Sequence, residues 1–109
     1  MNFKNIKEAH DHFKFPGSFR HGTIITNNLV IRIYSNMVSA PDYFNKQKNI
    51  FYYTIKTPLR LLGFKENKKQ NIPLHVFVKD KINNAVIYYG KFKVIGFREN
   101  NKFVVLKKL

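Results

Sequence analysis

The sequence predicts an α+β fold: a small curled β-sheet or barrel of about six strands with one or two flanking helices. Three observations carry this. Short runs of aromatic and β-branched residues recur with period-two alternation. Asparagine, glycine and proline punctuate those runs as turns. Two other stretches, one N-terminal and one at mid-chain, space their apolar residues three and four apart.

Segment 1–15 reads as helical. Phe3, Ile6, Lys7, His10 and Phe13 suit a short amphipathic helix over 3–14, and Phe15-Pro16-Gly17 ends it. Thr23 to Thr26 and Leu29 to Ser35 are strands around Asn27-Asn28; Leu29, Ile31 and Ile33 give the second strand one fully apolar face. Asn36 to Asn49 reads as a loop with Pro41-Asp42 as its turn. Asn49-Ile50-Phe51-Tyr52-Tyr53-Thr54 is the strand we take as the anchor of the chain. It sets Ile50, Tyr52 and Thr54 on one side and Phe51 and Tyr53 on the other. Thr57-Pro58 is an N-cap with proline in the first helical position, opening a helix over 58–69. Ile72 to Lys79 is the next strand, and Asn83-Asn84 the turn of a hairpin. The hairpin returns along Ala85 to Phe97, where Gly90 marks a bulge or bend. Glu99-Asn100-Asn101 turns the chain into a last strand, Phe103 to Leu106.

Length and composition bound the rest. At 109 residues, with 44% hydrophobic residues, the chain is expected to form one domain, 1–109, with a real core. Twenty Lys and Arg against six Asp and Glu give a formal charge of +14. Such self-repulsion is most simply explained by a polyanionic partner, with nucleic acid ahead of a membrane surface or an acidic protein. A skewed nucleotide composition in the source would also inflate lysine. Lysine suits phosphates as a point charge, so only Arg20, Arg32, Arg60 and Arg98 offer fork-type recognition. There is no cysteine, which excludes disulfides and thiolate chemistry. No apolar run approaches a membrane span and no signal peptide is seen, so a cytoplasmic protein is expected.

A series of segments falls in a fixed order: Gly17-Ser18-Phe19-Arg20, Thr26-Asn27-Asn28-Leu29-Val30, Asp42-Tyr43-Phe44-Asn45, Phe51-Tyr52-Tyr53-Thr54, Asn71-Ile72-Pro73-Leu74-His75-Val76-Phe77 and Tyr88-Tyr89-Gly90-Lys91-Phe92. In order and spacing they resemble the SRA-like (YDG) domains fused to McrA-type HNH restriction endonucleases, within the wider PUA-like superfamily. The chain departs from that pattern at Ile55, where the family has glycine. It departs again at Lys56-Thr57-Pro58, where the family has an acidic glycine-rich loop, and at Asn45, where it has an acid. The resemblance implies a PUA/SRA-like nucleic-acid-binding domain that reads an extruded, modified base.

A flipped base needs aromatic walls and a few polar groups. Tyr43 and Tyr53 are the candidate walls and Asp42 the candidate acceptor for an exocyclic amine; a core tyrosine and a turn-capping aspartate are the plainer readings. Phe19, Arg20 and His21 lie in a glycine-flanked loop suited to close approach to DNA. Lys46, Lys48, Lys56, Arg60, Lys65, Lys68 and Lys69 form the densest basic region, with Glu66 the one acid among them; a solvated face is the ordinary explanation of such a run. His10 and His12 point to different faces of a helix and make a poor metal pair, so neither a metal nor another cofactor is expected. Scattered acids give no catalytic pair, and Asp80-Lys81 is the one nuclease-like hint. The expected role is a duplex-DNA-binding specificity module rather than an enzyme, with any catalytic or motor partner domain elsewhere. The alternatives are an RNA-binding PUA-like domain, a small metal-dependent nuclease, and a protein–protein adaptor.

Overall fold

The computed structural model describes residues 1–36, 42–80 and 84–109. Its elements run β1 (Asn2–Phe3), α1 (Ile6–Phe13), β2 (Thr23–Thr26), β3 (Leu29–Ser35), β4 (Tyr43–Asn45), β5 (Ile50–Thr54), α2 (Pro58–Gln70), β6 (Leu74–Lys79), β7 (Val86–Arg98) and β8 (Phe103–Lys108). All the strands join one mixed sheet in the order β2-β3-β6-β7-β8-β5-β4, with β1 attached to β7. Every pairing is antiparallel except β3 with β6, which the chain reaches only after passing through β4, β5 and α2. Among the described residues the sheet is curled and unclosed, with β2 and β4 at its ends. The fold is therefore the expected α+β arrangement in its curled-sheet form.

Two elements depart from the sequence reading. The expected loop 36–49 contains β4, which pairs Tyr43 with Tyr52 and Phe44 with Phe51. The expected helix over 3–14 starts at Ile6, because Phe3 is held in β1 against Val86. Asn5 caps that helix, its side chain accepting from the Glu8 N–H at 2.9 Å. The anticipated turn at Asn83 lies outside the described residues, as do Pro41 and Lys81. A bulge also revises the face of β3. Ile24 opposes Arg32 and Ile25 opposes Val30, so Ile31 is left over. Val30 and Ile33 consequently both enter the core, and Ile31 stays half-buried.

The sheet has two differently covered faces. The inner face carries Phe51, Tyr53, Val76, Phe92, Val94, Val104 and Leu106, and α2 inserts Phe64 among them. Gly63 permits that close approach: a Cβ there would sit 2.9 Å from Val30 Cγ2. Asn67, 1% exposed, clamps helix to sheet. It donates to the carbonyls of Val30 (2.9 Å) and Ile72 (3.1 Å) and accepts from the Val30 N–H (2.8 Å). The outer face is covered by α1 over part of its area only. There Phe13 and Phe15 stack at 5.3 Å and pack on Phe77 and His75. On β7, Gly90 takes φ +107 where Tyr89 is bulged out, as the glycine suggested. The turns are built largely from asparagine. Asn27, Asn28, Asn49, Asn71, Asn84, Asn100 and Asn101 all hold positive φ, a region that asparagine tolerates better than most side chains.

Two outcomes follow from these contacts. Asn67→Ala strands the buried Val30 N–H and C=O, and should lower unfolding free energy by about 3 kcal/mol in a urea titration. Burial and then Lys91 lower the pKa of His75, whose Nδ1 lies 2.7 Å from the Tyr88 hydroxyl. The folded chain resists a proton that the unfolded chain accepts near 6.5, so this contribution is full above 6.5 and is lost on acidification below it. The thermal midpoint should therefore fall between about pH 7.5 and pH 5, and fall less in His75→Gln.

Candidate nucleic-acid interface

Of the residues singled out in the sequence, Tyr53, Asp42 and the Phe19-Arg20-His21 loop come together at one end of β5. Tyr53 points inward, 4% exposed, with Phe51 and Phe64 about its ring. Its hydroxyl donates to the Gly22 carbonyl at 3.2 Å and lies 3.3 Å from Thr23 Oγ1. Burial, ahead of the charges around it, raises its pKa, so the phenol stays protonated. Arg60 and Asp42 are both close enough to bias that titration, in opposite directions.

Asp42 is half-buried and held from two sides. Ser35 Oγ donates to Oδ2 at 2.5 Å, and the Thr54 N–H and hydroxyl both donate to Oδ1 at 2.8 Å. The carboxylate thus ties the end of β3 to the end of β5, with its orientation set and acceptor capacity remaining. Ser35 and Thr54 were not singled out in the sequence. Thr54 does close the Phe51-Tyr52-Tyr53-Thr54 segment that carries part of the resemblance.

Above Tyr53 runs the loop that carries Phe19, Arg20 and His21. Arg20 is exposed; its guanidinium lies over Phe19 at 5.6 Å, and Phe19 packs on His10. Arg32 anchors the loop from beneath. It is 0% exposed and donates from Nη1 to the His21 carbonyl at 2.9 Å. Burial pushes its pKa down to about 10. Of the four arginines with fork potential, this one is an internal strut.

The remaining candidates are separated. Tyr43 pairs with Tyr52 across the hairpin, so its ring is on the opposite face of the sheet from Tyr53. It is 55% exposed and stacks on Tyr52 at 6.1 Å and 24°. Lys46 and Lys48 sit in the turn before β5 and Lys56 after it, at opposite ends of a strand about 16 Å long. Lys65, Lys68 and Lys69 are exposed on α2, whereas Arg60 is turned toward the core and is half-buried. Among the described residues no three of His, Cys, Asp and Glu gather as metal ligands would, and no helix is long and apolar enough to cross a membrane.

No family model matches the sequence, and no curated protein does. Solved structures do match. The SUVH5 SRA domain, solved in complex with hemimethylated CG DNA, superposes with a TM-score of 0.71 at 14% identity, over 98% of this chain and 83% of that one. The fold is SRA-like. The modification-dependent restriction endonuclease TagI matches over all of this chain with a TM-score of 0.75 and 14% identity. KRYPTONITE, solved with mCHG DNA and SAH, gives 0.75 and 17%, also over the full chain. This SRA-like chain spans 48% of the TagI chain and 31% of the KRYPTONITE chain.

Gly22 sets how close the loop approaches Tyr53, because a Cβ there would lie 2.9 Å from the phenol oxygen. Gly22→Ala should destabilise the protein by about 1–3 kcal/mol. The cost should shrink in a Tyr53→Phe background, where the clashing atom is gone. A double-mutant cycle in denaturant reads that coupling directly.

Proposed function

We propose that the chain is a DNA-binding specificity module of a restriction system. It grips duplex DNA through its lysines and reads a flipped, modified base beside Tyr53 and Asp42. The observation that carries this is the joining of an SRA-like fold to a fixed carboxylate next to a buried tyrosine. Asp42 accepts the exocyclic amine of the base, since Ser35 and Thr54 leave it acceptor capacity. The Tyr53 ring is buried beneath the site, and its hydroxyl, bonded to the Gly22 carbonyl, fixes the loop that borders it. Arg20, exposed on the loop above, meets a phosphate or a groove. The net charge of +14 supplies the sequence-independent attraction. Cutting, where it occurs, belongs to a partner domain; this chain spans 48% of the TagI restriction endonuclease chain, which leaves room for one there.

The test is anisotropy with matched duplexes, unmodified and carrying one methylated cytosine, over a salt series. Neutralising about six phosphates gives a slope of roughly −5 in log K against log salt. The modified duplex should bind more tightly at every salt concentration. That preference should vanish in Asp42→Asn and in Thr54→Val, both of which spare the core ring. Equal affinity for all duplexes, disappearing with salt, would refute base reading. Tighter binding to structured RNA than to any duplex DNA would move the module to the RNA-binding class.

A further inference from the structure

We infer that the outer face of the sheet is a second nucleic-acid surface, built for an unpaired strand rather than a duplex. It lies across β4, β5, β8 and the second half of β7, beyond the area that α1 covers. The strand registers put Lys93 directly opposite Lys107 on this face. Lys91, two residues from Lys93, lies on the same side. All three are exposed. Two like charges facing each other across an antiparallel pair destabilise the sheet. No ion pair among the described residues relieves either Lys93 or Lys107. An external anion relieves both.

The next row of the same face is aromatic. Tyr43 and Tyr52 lie in near-parallel stack, and the Arg98 guanidinium sits 5.4 Å from the Tyr52 ring centroid. Together with Glu99 and Phe103 they line a cleft of about 240 Å³. Exposed Tyr43 and half-buried Tyr52, flanked by the exposed Arg98, form a platform for bases that are not paired. A duplex hides its base faces inside the helix, so it cannot stack on these rings. Glu99 adds an acceptor for a base amine at the rim. The surface faces away from Tyr53, because Tyr52 and Tyr53 are successive residues of one strand. Both surfaces can therefore be occupied together.

The experiment is anisotropy of a fluorescein-labelled 15-nucleotide oligothymidylate with the whole chain at low salt. An unlabelled modified duplex at saturation serves as competitor. The strand should bind and should stay bound when the duplex saturates. Tyr43→Ala/Tyr52→Ala should weaken the strand about tenfold and leave duplex affinity within about twofold. Lys93→Glu/Lys107→Glu should weaken the strand more than Lys4→Glu/Lys14→Glu, which changes net charge equally at the N-terminal segment. Stoichiometric displacement of the strand by the duplex would overturn the inference, as would equal loss in the two charge-reversed proteins. So would undiminished strand binding in the tyrosine variant, or no strand binding at low salt. Duplex binding is read separately, so either surface can fail without the other.

Discussion

The carbonyl of Gly22 is the point on which the candidate site turns. It accepts from the Tyr34 N–H at 2.7 Å and from the Tyr53 hydroxyl at 3.2 Å, with the Arg32 guanidinium 3.5 Å away. One backbone oxygen thereby joins two strands and a loop: β3 through Tyr34, β5 through Tyr53, and the loop ahead of β2. A glycine is required because any side chain would strike the phenol. Arg32 completes the arrangement by holding the neighbouring His21 carbonyl. A buried guanidinium is costly to desolvate, and its lowered pKa reflects that cost. The loop that bears Arg20 is thus fastened from inside while the Arg20 side chain faces outward.

Much of the architecture was legible in the sequence, and the reasons are local. The alternation in β6 and along β7, the Thr57-Pro58 start of α2 and the Gly90 bulge all follow from side-chain period and backbone preference. β4 was not legible, because three residues between asparagine- and lysine-rich flanks become a strand only when β5 lies alongside. β1 escaped for the same reason: two residues pair with the first two of β7, more than eighty positions along the chain. The parallel contact of β3 with β6 depends on what happens in between, and periodicity cannot report it.

The site shows the same division. That Tyr52 and Tyr53 face opposite ways follows from alternation alone. That Tyr43 belongs with Tyr52 requires the hairpin register. Basic residues crowded in sequence around β5 are spread in space, since a strand and a helix carry them to different edges. Lys93 and Lys107, distant in sequence, become direct neighbours. Charge density along a chain is therefore a poor map of charge density on its surface. Arg32 makes the converse point: a residue type associated with recognition is here spent on holding a loop.

The asparagine-built turns have a consequence for how the chain tolerates its own repulsion. Glycine would reach the same left-handed backbone without steric cost, but would leave the unfolded chain more conformations to populate. Asparagine gives up a little in the folded state and narrows the alternative. Repeated at Asn27, Asn28, Asn49, Asn71, Asn84, Asn100 and Asn101, that choice works on the denatured ensemble rather than on any native contact. A strongly cationic chain therefore carries some of its resistance to unfolding in its reversals, away from its lysine-bearing surfaces.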